Sequence, residues 1–292
     1  MKEVILIVGG SGFLGKNLLH YNEKNNHLIY STFNKNKPNS KKNIKINWLH
    51  LDLNDTKKYK KDILKIKPTI IIFLSWENIP NFSKLVSQKN LLISKKFFKF
   101  IFQNNFCKKI IVSGSCLEYK KKFGLLKENS PLDLKNYFSK AKYNLYLFLE
   151  KETKKNKINL IWFRIFYVYG PGQRKKSLIP SIVTNIKQKK KIDIKFPKNK
   201  NDFIFIEDVC SAFYKAVNHS RINGIYNLGT SKKISVSYIF RQIKESIGKS
   251  YKYNLKGNNF NQSYSADISK IKKDLKWKPR YSFKSGLKKT IM

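Results

Sequence analysis

Several residue types are scarce in this 292-residue chain, and each scarcity excludes a class of protein. Three cysteines occur without a Cys-x-x-Cys pair, and four histidines are scattered, so neither a disulfide framework nor a metal site is predicted. Long apolar runs are missing too, since a run such as Ile70 to Leu74 is far too short to span a bilayer. With no targeting segment visible, we expect a cytoplasmic protein that does not associate with membranes.

Arginine and alanine are also rare, while lysine is abundant. The chain has 56 lysines, five arginines and four alanines, and its formal net charge is +43. A protein selected to bind nucleic acid would concentrate its charge and use arginine for phosphate or base contacts. Here the lysines are spread through every segment, as the drift of an AT-rich genome would produce. We therefore predict a solvated basic surface and no specific nucleic-acid partner.

Strand-like and helix-like segments alternate through the first half of the sequence. Val4 to Val8 is a continuous apolar run, which is typical of a parallel strand buried on both faces. Similar runs recur at residues 27–33, 47–51, 69–74, 109–113 and 159–164, and helical segments separate several of them. The alternation predicts an α/β fold with a Rossmann-type, doubly wound parallel sheet.

The first strand leads directly into a glycine-rich turn. Gly9, Gly12 and Gly15 form a G-x-x-G-x-x-G pattern between this strand and a predicted helix. Such a turn lets the backbone approach a pyrophosphate, and the N–H groups of the first helical turn, which holds Phe13 and Leu14, face the phosphates. Strand, turn and helix together predict a dinucleotide site.

The second strand ends without the acidic residue that normally accepts a hydrogen bond from the ribose 2′-hydroxyl of NAD. Asn34 and Lys35 stand there instead, and a lysine at this position can pair with a 2′-phosphate. The residues therefore favour NADP, with NAD as the alternative because lysine is so common in this chain.

The regular alternation ends after Arg164, where the turn cluster Tyr169 to Gly172 follows. We therefore expect a dinucleotide-binding Rossmann domain over residues 1–168 and 202–229. Residues 169–201 and 230–292 are expected to form a smaller, interleaved C-terminal substrate domain. No linker rich in proline, glycine or serine separates the two.

Further short motifs follow the glycine turn in a set order. They are Asp52-Leu53, Leu74-Ser75-Trp76, Ser113 to Tyr119, Arg164 to Gly172, Asp202 to Ile204, Tyr226 to Gly229 and Leu275 to Pro279. In this order they resemble the extended short-chain dehydrogenase/reductases of the NAD-dependent epimerase/dehydratase family. The resemblance implies a nucleotide-sugar substrate, an adenine contact from the Asp-Leu pair, and a Leu-Ser pair near the cofactor. Family members often form homodimers through a helix pair, although the sequence leaves the oligomeric state open.

The same resemblance assigns catalytic residues. Ser115, four residues before Tyr119, corresponds to the hydroxyl that hydrogen-bonds the sugar oxygen being oxidised or reduced. Family 4,6-dehydratases follow that hydroxyl with Asp-Glu, whereas this chain has Cys116-Leu117, which cannot transfer the protons of dehydration. Keto-reduction or epimerisation of a nucleotide-activated deoxysugar is therefore the expected activity, and the resemblance implies a place in surface-polysaccharide synthesis.

One residue of the family pattern is missing. The motif is Tyr-x-x-x-Lys, whose spacing puts both side chains on one helix face, with the lysine on the nicotinamide ribose. Four residues before Lys142 stands Phe138, which cannot ionise, and Tyr137 lies one position earlier. Three alternatives follow. Tyr137 serves as the acid/base, another group donates the proton, or the protein is a catalytically degenerate dinucleotide-binding sensor or scaffold.

Overall fold

The computed structural model describes residues 3–21, 27–38, 46–120, 122–190, 194, 196–248 and 260–291. The chain divides into two compact units. The first unit comprises residues 1–120, 131–164 and 210–226, and the second comprises residues 121–130, 165–209 and 227–292. The assignment of a cofactor domain and a substrate domain to particular residues stays a prediction.

Strands and helices alternate through much of the described chain. The strands are β1 (Val4–Val8), β2 (Leu28–Phe33), β3 (Asn47–His50), β4 (Ile70–Phe73), β5 (Lys109–Ser115), β6 (Phe123–Leu126), β7 (Asn159–Ile165), β8 (Tyr167–Tyr169), β9 (Lys200–Asn201), β10 (Phe203–Phe205), β11 (Gly224–Leu228), β12 (Ile234–Ser235) and β13 (Ser263–Ala266). The helices are α1 (Phe13–Tyr21), α2 (Thr56–Ile66), α3 (Lys84–Phe102), α4 (Tyr137–Lys155), α5 (Leu178–Lys187), α6 (Ile206–Asn218), α7 (Val236–Ile247), α8 (Ser269–Leu275) and α9 (Phe283–Ile291).

A seven-stranded sheet in the order β11-β7-β5-β4-β1-β2-β3 organises the first unit. Its central strand β1 pairs in parallel with both neighbours, so that Ile5 lies opposite Ile29 of β2 and Ile70 of β4. Leu6 and Ile7 are fully buried, as expected for a strand with helices on both faces. The predicted α/β fold with a Rossmann-type parallel sheet is confirmed.

Helix α3 covers the sheet with aromatic side chains. The rings of Phe97 and Phe98 lie 5.7 and 4.9 Å from the ring of Phe73 on β4, and both phenylalanines are fully buried. Helix α4 packs beside α3 and begins where Asn136 accepts a hydrogen bond from the backbone N–H of Ser139. Among the described residues, no helix has both the length and the hydropathy needed to cross a membrane.

One lysine is part of the interior of the first unit. Lys109, at the start of β5, is buried, and its ammonium group donates to the carbonyls of Ala216, Val217 and His219 at 2.9, 2.6 and 2.9 Å. These carbonyls lie at the C-terminal end of α6, where the helix supplies no N–H partners. Lys109 therefore joins this helix end to the sheet.

The second unit contains a four-stranded sheet, in the order β12-β9-β13-β6, and the parallel pair β10-β8. Asp202 joins its segments. The buried carboxylate accepts hydrogen bonds from the backbone N–H groups of Thr230, Ser231 and Ala266 at 2.8, 2.9 and 3.1 Å. The Asp202 motif noted in the sequence is thus a structural connection within this unit.

Candidate active site

The glycine turn between β1 and α1 has the backbone shape that its sequence predicts. Gly9 has a φ of +91°, which L side chains rarely adopt, and its carbonyl accepts from the N–H of Gly12 at 3.1 Å. A Cβ atom on Gly15 would lie 2.5 Å from the Gly9 carbonyl oxygen and from Gly10 Cα. Gly15 therefore lets α1 pack closely against the turn, and the first N–H groups of a helix lack intrahelical partners.

A pocket opens above this turn in the first unit. Its lining residues are Val8, Gly9, Ser11, Gly12, Thr32, Phe33, Asn34, Leu51, Leu53, Leu74, Ser75, Trp76 and Glu77. The pocket lining brings together six of the expected cofactor residues: Gly9, Gly12, Asn34, Leu53, Leu74 and Ser75. Their contact with the cofactor stays a prediction. Phe13 and Leu14 form the first turn of α1, next to the pocket wall.

The pocket has the chemistry that a dinucleotide needs. One end offers helix N–H groups for phosphates, and the leucines near β3 and β4 offer apolar faces for a base. The indole N–H of Trp76 is buried in the pocket wall without a partner among the described residues, so a donor is left for a ligand. These features fit a nicotinamide dinucleotide.

Six of the expected cofactor residues do not line this pocket: Phe13, Leu14, Gly15, Lys35, Asp52 and Lys142. Lys35 is exposed directly after Asn34. Asp52 does not line the pocket, and its carboxylate accepts from the backbone N–H and the side-chain amide of Asn54, both at 2.8 Å. These hydrogen bonds, the backbone one foremost, lower the pKa of Asp52 below its ordinary value. An adenine contact from Asp52 stays a prediction.

Ser115 ends β5 and opens a short 3₁₀ helix over Cys116–Glu118. Its hydroxyl accepts from the backbone N–H of Leu117 at 3.1 Å, and its own N–H donates to the Glu118 carboxylate at 2.8 Å. The hydroxyl of Ser139 on α4 donates to the Leu117 carbonyl at 2.7 Å, so the helix holds this segment in place.

The Glu118 carboxylate is buried beneath the end of β5. Its oxygens accept from Arg164 Nε at 2.8 Å and from Trp162 Nε1 at 3.2 and 3.3 Å. The Arg164 guanidinium lies 4.7 Å above the ring of Tyr119. Burial opposes the charge on Arg164, but Glu118 and Tyr119 outweigh it, so the pKa of Arg164 is raised.

Helix α4 presents Lys142 and Phe138 on one buried face. Lys142 donates to the carbonyl of Ser113 at 2.9 Å, and its ammonium lies 4.1 Å from the centre of the Trp76 ring. Burial lowers the pKa of Lys142 to about 8, and the charge of Glu118 acts in the opposite direction. The lysine therefore connects α4 to the strand end that carries Ser115.

Phe138 occupies the place that the Tyr-x-x-x-Lys spacing gives to tyrosine. Its side chain is 4% exposed and packs in an aromatic cluster, with the Phe82 and Trp76 rings 4.6 and 5.6 Å away. Tyr137, the first residue of α4, is 51% exposed. Consecutive helical residues point about 100° apart, so the two side chains diverge. The structure brings Phe138, and not Tyr137, together with Lys142.

The sequence pattern of the NAD dependent epimerase/dehydratase family matches residues 5–229. The chain belongs to this family. The family description confirms both the resemblance inferred from the motifs and the expected nicotinamide dinucleotide. Among curated relatives of this family member, the dTDP-4-dehydro-6-deoxyglucose reductase of Escherichia coli is 27% identical over 99% of this chain and 97% of its own length. The CDP-abequose synthase of Salmonella muenchen is 25% identical over 100% and 98%, respectively.

Solved structures share the fold of this epimerase/dehydratase family member over nearly the whole chain. A UDP-glucose 4-epimerase from Thermotoga maritima superposes with a TM-score of 0.86 at 19% identity, covering 99% of this chain and 97% of its own. A UDP-N-acetylglucosamine 4-epimerase from Methanobrevibacter ruminantium gives 0.86 at 22% identity, covering 100% and 98%. At these identities the likeness establishes the fold.

Three features of the site escaped the sequence reasoning. The carboxylate of Glu118 lies inside a recognised motif, but nothing in the spacing indicated its partners 44 and 46 residues further on. Phe82 and Glu77 lie in a loop without regular structure between β4 and α3. Glu77 is fixed there because its N–H donates to Asn90 of α3 at 2.7 Å.

Among the described residues, no group of three His, Cys, Asp or Glu side chains could hold a metal ion.

Proposed function

We propose that the protein is an NAD(P)-dependent oxidoreductase or epimerase of a nucleotide-activated deoxysugar, acting by 4-keto reduction or epimerisation. The observation that carries this proposal is the bond from Lys142 to the Ser113 carbonyl, which couples α4 to the strand end bearing Ser115. Serine and lysine thus lie in the same unit as the glycine turn. A relative that matches over 97% of its own length is a dTDP-4-dehydro-6-deoxyglucose reductase, which supports the same substrate class.

Each residue has a separate role in this proposal. The cofactor, when bound, supplies hydride transfer at the sugar carbon. Ser115 donates a hydrogen bond to the sugar oxygen, and Lys142 holds the nicotinamide ribose with its ammonium group. Tyr137 exchanges the proton. Because its side chain is exposed and is not brought together with Lys142, this role requires its hydroxyl to come within about 3.2 Å of the sugar oxygen when the substrate binds.

Dehydration is not proposed, although dehydratases occur among the relatives. Elimination of water needs a general acid and a general base beside the reacting carbons. The two residues after Ser115 are Cys116, which is buried and has a thiol, and Leu117, which is apolar. Neither offers the carboxyl chemistry of the Asp-Glu pair.

A second candidate function rests on the aromatic cluster. Because Phe138 fills the tyrosine position and packs against Trp76 and Phe82, the site can bind a dinucleotide without a hydroxyl at that point. The protein would then be a degenerate sensor or scaffold that reports on dinucleotide level. Cofactor binding is common to both candidates, and turnover separates them.

The test for reduction uses purified protein with NADPH or NADH and 4-keto-6-deoxysugars linked to dTDP, CDP or UDP. The test for epimerisation uses NAD⁺ or NADP⁺ and the corresponding 4-hydroxy sugar nucleotides, because the sugar must first give up a hydride. Loss of NAD(P)H absorbance reports reduction, and chromatography of the sugar products reports epimerisation. Turnover of at least one substrate supports the enzyme. Dinucleotide binding with no change in any sugar supports the sensor, and failure to bind either dinucleotide contradicts both.

The wider setting also belongs to this proposal. We place the reaction in the cytoplasm, within surface-polysaccharide synthesis, and propose a homodimer. Residues 1–168 and 202–229 would hold the cofactor, and residues 169–201 and 230–292 the sugar nucleotide. Light scattering of the purified protein, measured with and without added sugar nucleotide, gives its mass in solution and tests the dimer.

A further inference from the structure

A buried carboxylate without a part in the proposed chemistry lies directly behind Ser115. Glu118 is 1% exposed, and its partner Arg164 is 2% exposed. Removing two charges from water costs several kcal/mol per ion, and the mutual attraction of an ion pair recovers this only with good geometry and additional hydrogen bonds. Apolar residues of similar volume would fill the same space at no such cost. The pair therefore calls for an explanation beyond packing.

The geometry around Glu118 indicates what the carboxylate does. Besides Arg164 and Trp162, it accepts from one backbone group, the N–H of Ser115, at 2.8 Å. That N–H belongs to the residue whose hydroxyl is proposed to contact the sugar. The hydroxyl in turn accepts from Leu117, so backbone and side chain of Ser115 are both fixed by the same short 3₁₀ turn.

Gly114 shows how closely this turn fits the carboxylate. A Cβ atom at this position would lie 2.7 Å from a Glu118 carboxylate oxygen and 2.3 Å from Trp162 Nε1. Only glycine leaves room for the carboxylate to reach the N–H of Ser115. The end of β5, the Glu118 carboxylate and the Trp162 indole therefore pack closely together at Gly114.

We propose that Glu118, held by Arg164, is a positioning residue that fixes the backbone of Ser115 so that the serine hydroxyl faces the substrate oxygen. The expected effect on turnover rests on the proposed function. The position of Ser115 does not, because it is a property of the folded protein. A misplacement of about 1 Å in a group that orients substrate can cost about 10²-fold in rate.

Two double variants separate the hydrogen bond to Ser115 from the charge and the packing. Glu118→Gln with Arg164→Gln removes both charges but keeps an amide oxygen for the Ser115 N–H. Glu118→Leu with Arg164→Met removes both charges and the acceptor. The Leu–Met pair is expected to fold because buried ion pairs can often be replaced by well-packed apolar residues without loss of stability, and the Gln–Gln pair because its two amides can hydrogen-bond each other. Cooperative thermal unfolding verifies both.

The acceptor-free variant should lose about 10²-fold in kcat with dinucleotide affinity unchanged. The amide pair should stay within about tenfold of the unaltered protein. A purely structural role would lower the melting temperature of either variant and leave kcat alone. Equal kcat in the two variants, whether high or low, overturns the positioning role.

Amide hydrogen exchange at Ser115 provides a measurement that does not depend on turnover. In the unaltered protein this N–H must exchange slowly, and in the acceptor-free variant about tenfold faster than in the amide pair. Rapid exchange in the unaltered protein overturns the proposal. Slow exchange in a protein that turns over no sugar nucleotide leaves the positioning intact and rejects the proposed function alone.

Discussion

The ammonium group of Lys142 lies 6.0 Å from the centre of the Phe138 ring, one helical turn away on the same face of α4. In the family pattern that position carries a phenol, whose proton exchange depends on the neighbouring lysine. In this protein the lysine faces Phe138 and Trp76 instead. The charge is retained, and the group on which it would act is absent from that position.

This relationship leads to a pair of substitutions at adjacent positions. If Tyr137 exchanges the proton, Tyr137→Phe lowers kcat by roughly 10²-fold or more while dinucleotide affinity, measured by calorimetry, stays constant. Phe138→Tyr then changes little, because the donor is already present. The opposite pattern, in which Phe138→Tyr creates or strengthens ketone reduction and Tyr137→Phe has no effect, rejects Tyr137 and identifies a degenerate site.

Lys142 should make stability depend on pH. Its pKa is about 8 in the folded protein against an ordinary value of 10.5, so between these values the unfolded chain holds a proton that the folded chain lacks. The contribution of Lys142 to the free energy of unfolding therefore increases with pH between these two values. Below pH 8 the buried charge carries its full cost. Lys142→Met should remove that cost and raise the free energy of unfolding by on the order of 3 kcal/mol. The loss of the hydrogen bond to the Ser113 carbonyl reduces this gain.

Urea unfolding of both proteins at several pH values checks this expectation. The advantage of Lys142→Met should be largest below pH 8 and shrink toward pH 10.5. Because the other lysines are common to both proteins, their titration cancels in the difference. A difference that does not vary with pH would show that Lys142 keeps an ordinary pKa.

Two glycines of the turn should respond differently to substitution. A Cβ on Gly12 meets only the Gly9 carbonyl oxygen, at 3.2 Å, so Gly12→Val should fold but place its side chain in the pocket and abolish dinucleotide binding. Gly15→Ala brings its Cβ within 2.5 Å of backbone atoms and should cost about 1–3 kcal/mol of stability. Thermal unfolding and calorimetric titration measure the two effects. Unchanged affinity in a folded Gly12→Val protein contradicts the assignment of this turn to the pyrophosphate.

The residues after β2 predict modestly tighter binding of NADPH than of NADH. Lys35 is exposed, so its attraction to a 2′-phosphate is worth no more than about fivefold and weakens as salt screens it. Titrations of both dinucleotides at low and high ionic strength check this. Lys35→Gln should remove the preference, and Lys57→Gln, on α2, is the matched control. Equal affinities at low salt would contradict the proposed part of Lys35.

The parallel sheet was accessible from the sequence because its strands are continuous apolar runs. β1 has the bounds of the apolar run that predicted it, and β4 lies within the predicted run at residues 69–74. Helix α2 was not predicted, since five of its eleven residues are lysine and it buries only Tyr59 and Ile63. Its start is set by Asp55, which accepts from the N–H of Lys58. A single capping contact of this kind is easily overlooked in a polar segment.

The second unit was harder to predict for a different reason. Strands β9 and β12 have two residues each, and β13 pairs in parallel with β6, from a part of the chain more than a hundred residues earlier. Such short elements carry no periodicity of their own. At the candidate site, spacing identified Phe138 as an anomaly, but only coordinates reveal that its ring packs against Trp76.

Lys109 has a consequence for the chemistry of the protein's amines. An ammonium group has three hydrogens, and at Lys109 each of them faces a carbonyl oxygen. An acylating reagent needs a free, accessible amine, which this side chain offers only after α6 has separated from β5. Among the 56 lysines, covalent modification of Lys109 would therefore count the molecules in which α6 has separated from β5.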